Sequence, residues 1–158
     1  MESAVLAMFL ALFLLPAAAR AQSARSAGGA GRAVFPAGAS WKGVPLSALR
    51  FGTGVTFAGP GAATGALQVT MLSTPVAGVT RLIRLTGDVT AGTSTAAGPA
   101  TFSGLGTLDP GDGTAALLSV PFTLTVTVAP GGASSLALTL DGQVLPAAPV
   151  IAGNVLIH

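Results

Sequence analysis

A two-residue alternation of apolar and polar side chains constrains the fold of this chain more than any other feature. Its clearest example runs from Leu118 to Val128, where apolar side chains at every second position alternate with Ser119, Pro121 and a row of threonines. Successive side chains of a β-strand point to opposite faces of a sheet, so this period indicates a strand with one buried face. Similar segments occur on either side, and together they predict an all-β protein.

Turn-forming residues separate these segments at intervals of about ten residues. Examples are the glycine- and proline-rich segments 109–113 and 129–132 and the dipeptide Asp141-Gly142, which favours a tight hairpin. This spacing predicts that residues 33–158 form a single antiparallel β-sandwich of Ig-like architecture with about seven strands. The alternation places the following residues in its core: Phe51, Val55, Phe57, Leu67, Val69, Phe102, Leu118, Val120, Phe122, Leu124, Val126, Leu136, Leu138 and Leu140.

One segment and one residue do not fit the simple pattern of regular strands. The segment Val79–Val89 follows Thr74-Pro75, a good start for a helix, but its β-branched residues and glycines favour a strand. Pro121 lies on the solvent side of a long strand and lacks an N–H group, so it predicts a sheet edge or a bulge.

The N-terminal residues predict export. Residues 4–15 form an unbroken apolar run that is too short to span a bilayer, and Ala19-Arg20-Ala21 after it is typical of a signal-peptidase site. We therefore expect residues 1–21 to be a signal peptide that is cleaved before Gln22. Residues 22–32 are small, polar and rich in glycine, and this composition predicts a flexible linker. The rest of the chain contains no apolar run long enough for a transmembrane helix.

Charge is sparse after the signal peptide, with six basic and four acidic side chains. The basic residues are dispersed along the sequence. Binding to a phosphate backbone needs several clustered cations, so nucleic acid is not expected as a partner. The chain contains no cysteine, so its stability must come from apolar burial and sheet hydrogen bonds.

No set of catalytic residues is evident. The only histidine is the terminal His158, and no glutamate follows the signal peptide. A Ser-His-Asp triad needs a rigidly held imidazole and a glycosidase needs two acids across a cleft, so the sequence predicts a protein that is not an enzyme and has no cofactor. Zinc is not expected either, because its usual cysteine and histidine ligands are missing.

A weak calcium signal lies in one turn. Asp109 and Asp112 stand three residues apart in a Pro- and Gly-containing segment whose carboxylates and carbonyls could face Ca²⁺. Calcium requires six to eight oxygen ligands, so a site here would need a further acid from another loop. The alternative interpretation is that both aspartates form turn hydrogen bonds.

Export and the lack of a chemical motif suggest a structural or adhesive protein, either in a bacterial envelope or in an extracellular matrix. Bacterial origin is inferred from export without cysteines and without an N-glycosylation sequon. The expected location is secreted, periplasmic or on the cell surface. The segment Leu118–Leu140 has no charged residue, which predicts either an exposed hairpin that associates with itself or with a surface protein, or a hairpin with covered edges. The alternative function is a soluble secreted ligand-binding module, assisted by calcium in one version.

Overall fold

The computed structural model describes residues 24–95, 98–129 and 131–158. The expected signal peptide, 1–21, lies outside these residues. The described chain contains ten β-strands and no helix, which confirms the all-β prediction. The strands are β1 (Arg25–Val34), β2 (Ser40–Trp41), β3 (Val44–Gly59), β4 (Ala62–Ser73), β5 (Leu82–Ser94), β6 (Ala100–Asp109), β7 (Leu117–Val128), β8 (Ser134–Leu140), β9 (Gln143–Val144) and β10 (Ala148–Ile157).

All ten strands belong to one antiparallel sheet, so the prediction of a seven-stranded, two-sheet sandwich is wrong. Strand β1 pairs with β3 along one edge and with β10 along the other, while β10 pairs with β8. The sheet therefore closes on itself in the order β1, β3, β4, β5, β6, β7, β8 and β10. Alternation shows only that one face of each strand is buried, and a closed sheet satisfies that requirement as well as two packed sheets do.

The interior of the closed sheet holds a single apolar cluster to which all eight long strands contribute. Every predicted core residue is buried except Leu118, whose side chain is 75% exposed. The cause is a bulge at Ser119, which adopts a positive φ of 56° and shifts the β6–β7 register after Gly106. The bulge moves Leu118 out of phase with Val120 and turns it toward solvent. Pro121 itself pairs with Leu105 in regular register, so the strand has a bulge, but two residues before the proline that predicted an edge or a bulge.

The prediction of a flexible linker at 22–32 is wrong from Arg25 onward, where strand β1 begins. From Arg25 onward this segment is a strand paired along both edges, with ten register pairs to β3 and seven to β10. Its glycines allow neighbouring backbones to come close, because a Cβ on Gly29 would collide with the carbonyl of Asn154. A glycine-rich strand has few side chains with which to show alternation, which explains the wrong prediction.

The segment Val79–Val89 contains a strand, as predicted, but β5 starts only at Leu82 and continues to Ser94. Val76 and Val79 exchange two backbone hydrogen bonds across Ala77 and Gly78. Ala77 and Gly78 both have positive φ, so they form a tight turn that ends before β5 begins. The predicted hairpin turn at Asp141-Gly142 is confirmed, since both residues have positive φ between the paired strands β8 and β9.

Candidate functional site

The two aspartates of the predicted calcium loop sit at one end of the closed sheet. Asp109 is the last residue of β6, and Asp112 lies in the loop that leads to β7. Asp109 Oδ1 accepts a hydrogen bond from the Gly111 N–H at 2.8 Å. Asp112 Oδ1 accepts from both the N–H and the hydroxyl of Thr114. Each carboxylate therefore closes a turn in its own loop, as the alternative interpretation of the sequence predicts.

Arg81, just before β5, and Arg84, within β5, engage the other oxygen of each carboxylate. Arg81 Nη2 lies 2.7 Å from Asp112 Oδ2, and Arg81 Nε donates to the Pro110 carbonyl at 2.6 Å. Arg84 Nη1 lies 3.6 Å from Asp109 Oδ2. All four carboxylate oxygens thus face donors of this chain. A bound calcium ion would have to replace those contacts, and the described residues contain no group of three or more His, Cys, Asp or Glu side chains placed to hold a metal.

The pKa of Asp112 is lowered, first by the hydrogen bonds from Thr114 and then by the charge of Arg81. A carboxyl whose pKa is lower in the folded state stabilises the fold above its unfolded pKa, and this stabilisation is lost as the pH falls through the folded pKa. We expect Asp112→Asn to flatten the fall in melting temperature between about pH 5 and pH 2, the range of aspartate titration. Circular dichroism melts across this range would test the prediction.

The control for that experiment is Asp88→Asn, because the Asp88 side chain is exposed on the outer face of β5 and makes no hydrogen bond or ion pair with another described residue. An equal flattening in both variants would show that general charge, and not the Asp112 turn, causes the pH dependence.

The uncharged hairpin formed by β7 and β8 has covered edges. Strand β7 pairs with β6 on one side and with β8 on the other. The outer edge of β8 is occupied by β9, by the N–H of Leu145 and by the first two residues of β10. Of the two arrangements that the sequence left open for Leu118–Leu140, the structure therefore has the hairpin with covered edges.

Strand β10 has an open edge. Seven of its residues pair with β1, but only Ala148 and Pro149 pair with β8. Residues 150–157 extend beyond that contact, and no described strand pairs with their other edge. A shallow groove separates them from Gly132 and Ser134 at the turn between β7 and β8. At this place the closed sheet is joined by two register pairs, whereas its other junctions have seven or more.

The direction of the backbone groups on β10 follows from its pairing with β1. Ser26 and His158 exchange two hydrogen bonds, of 3.0 and 2.8 Å. Backbone groups alternate in direction along a strand, so the N–H and C=O groups of Val155 and Ile157 point away from β1. The open edge thus offers donors and acceptors to another strand.

The side chains around this edge are apolar or neutral. Ile151 is 58% exposed and Leu156 is 47% exposed, and β10 contains no Lys, Arg, Asp or Glu. Natural proteins usually protect such edges with charged side chains. This edge was not predicted from the sequence, although residues 142–157 lack charge as the segment 118–140 does.

Among the described residues, none forms a helix with the length and hydropathy needed to cross a membrane. Comparison of the chain with protein-family models finds no matching family. Searches of curated proteins and of solved structures likewise find no significant match.

Proposed function

We propose that this chain is an exported, non-enzymatic structural or adhesive protein of a bacterial envelope or extracellular matrix that assembles through the open edge of β10. The observation that carries the proposal is the uncharged edge at residues 150–157, where backbone groups point outward beside exposed apolar side chains. Export is supported by the sequence of residues 1–21 alone.

The proposed occupant of this edge is β10 of a second copy. The unpaired N–H and C=O groups of one strand edge can form hydrogen bonds with those of another strand edge. Every copy of the chain carries the same open segment. Two antiparallel β10 strands would be related by a two-fold axis, which is the commonest symmetry of protein dimers. Neither strand carries a side-chain charge, so pairing them costs no side-chain repulsion or desolvation of side-chain ions. Docking would also cover Ile151 and Leu156.

Static light scattering behind a size-exclusion column would test this assembly across a range of protein concentrations. We expect a dimer whose fraction rises with protein concentration. We expect Leu156→Lys to lower this fraction at least about tenfold, because a buried charge at the pairing surface is costly. The matched control is Leu118→Lys, which charges an exposed leucine on β7 and should leave the dimer fraction unchanged.

Two results would overturn the proposal. The first is a strict monomer at all concentrations. The second is an equal loss of dimer in both lysine variants, which would point to nonspecific apolar contact and not to the edge of β10.

A strict monomer would favour the second candidate, a secreted ligand-binding module. One feature supports that function, a cleft at the end of the closed sheet opposite the Asp109 loop. Its lining includes Arg25, Phe57 and Ser94, and Arg25 Nη1 donates to the Ser94 carbonyl at 2.7 Å. A ligand-binding role would use this end of the sheet rather than the aspartate loop.

A further inference from the structure

Strand register brings together two arginines that stand far apart in the sequence. Arg32 on β1 and Arg50 on β3 are directly opposite each other, and both side chains are exposed on the outer face of the sheet. Side chains in such positions have Cβ atoms about 5 Å apart. The basic residues are dispersed along the sequence, but two of them are neighbours on this face of the protein.

These two arginines differ from the other basic residues in the described part of the chain. The others each contact an acid or a backbone carbonyl: Arg25, Lys42, Arg81 and Arg84. Neither Arg32 nor Arg50 makes a side-chain hydrogen bond or an ion pair with a described residue. Like charges directly opposite each other on a sheet are destabilising, so an anion between them would relieve a cost that the fold otherwise bears.

Next to the arginine pair, on the same face, lies a row of four register-paired residues with small residues in the middle and a side-chain amide at each end. Across four strands it runs from Asn154 through Ala30 and Gly52 to Gln68. A Cβ added to Gly52 would meet no atom within 4 Å, so the space above this row is open. Side-chain amides both donate and accept hydrogen bonds, which suits the hydroxyl groups of a sugar.

We propose that this face binds an acidic polysaccharide. The Arg32 and Arg50 guanidinium groups hold the carboxylate or sulfate groups of the polymer, because the arginine fork matches these oxyanions with paired hydrogen bonds. The sugar rings lie over Ala30 and Gly52, where no large side chain obstructs them. The amides of Asn154 and Gln68 bond to ring hydroxyls on either side.

Nucleic acid fits this surface less well. Single-stranded nucleic acid gains much of its affinity from stacking on aromatic side chains. In the described residues, every phenylalanine side chain and the tryptophan side chain are buried. A polymer of sugars and acid groups needs only the polar contacts that the arginine pair and the row with two amides provide.

Affinity electrophoresis of the full protein would test the proposal with polygalacturonate and dextran sulfate as probes and unmodified dextran as the neutral reference. We expect retardation by at least one acidic polymer. Stronger binding of polygalacturonate would assign the site to carboxylates, and stronger binding of dextran sulfate to sulfates. The double variant Arg32→Gln with Arg50→Gln should bind at least about tenfold more weakly, since charge-assisted hydrogen bonds are the strong ones.

The matched control is Lys42→Gln with Arg81→Gln, which removes the same charge away from both the arginine pair and the cleft at Arg25 and should change binding little. An equal loss in the control would overturn the proposal, because net charge alone would then explain binding. Equal retardation by unmodified dextran, or tighter binding of single-stranded DNA than of either polymer, would also overturn it. Melting temperature gives an independent readout: removing the repulsion should leave the double variant at least as stable as the wild type.

Discussion

Replacing Gly87 with valine is expected to destabilise the fold by about 3 kcal/mol, a large part of the roughly 5–15 kcal/mol by which a typical domain is stable. Gly87 lies on β5 with its Cα facing the interior, and the ring of Phe122 occupies the space where its side chain would be. A Cβ at Gly87 would sit well under 3.0 Å from Phe122 Cε1 and 3.0 Å from the Leu105 carbonyl. Phe122 is 2% exposed, so its ring lies inside the core and can move away only by displacing other core side chains.

The matched control is Gly54→Val. Gly54 faces outward on β3, a Cβ there would meet nothing within 4 Å, and the expected change is within about 0.5 kcal/mol. Urea denaturation would measure both variants. In the background of Phe122→Leu, which shortens the opposing side chain, Gly87→Ala should cost less than it does alone. Strictly additive effects would show that the two positions do not compete for space.

Replacing Leu124 with alanine should cost about 3 kcal/mol, whereas the same change at Leu118 should cost less than about 0.5 kcal/mol. Both leucines belong to β7, and alternation alone places them on the same buried face. Leu124 is 1% exposed inside the closed sheet, but Leu118 is 75% exposed beyond the bulge at Ser119. Truncation at Leu124 leaves a cavity, while truncation at Leu118 only removes surface.

Chemical denaturation of the two alanine variants would compare these costs under one set of conditions. A cost at Leu118 as large as that at Leu124 would mean that the alternation continues unbroken through Ser119 and that the bulge is absent in solution. The comparison has its own control, because the residue type, the substitution and the strand are the same.

Much of the fold could be predicted from the sequence, because burial on one face of a strand leaves a period of two in the chain. This period identified the clearest strand, from Leu118 to Val128, and part of the core, but it left out buried residues such as Ile83, Leu108 and Leu145. Residue type also predicted a turn correctly where the backbone requires positive φ, as at Asp141-Gly142. Alternation failed where side chains are missing, as in the glycine-rich β1, and where one added residue changed the phase, as at Ser119.

The candidate sites were less predictable. Asp109 and Asp112 could be found because acids in a turn are visible in the chain, and the structure shows both carboxylates bonded within their own loop and to Arg81 and Arg84. The open edge of β10 could not be located in this way, because an edge is defined by the absence of a neighbouring strand. The same limit applies to Arg32 and Arg50, whose separation in sequence says nothing about their register.

The sequence by itself determined that this chain forms β-strands, some of the residues that those strands bury and where several turns lie, since these properties depend on local side-chain chemistry and backbone freedom. Only the tertiary structure decided that β1 joins β3 to β10 and closes the sheet, that β10 keeps an open edge and that Arg32 faces Arg50. The physical reason is that strand pairing is made by backbone hydrogen bonds that every residue except proline can form in both directions. The choice of partner and register therefore follows from the packing of the whole chain.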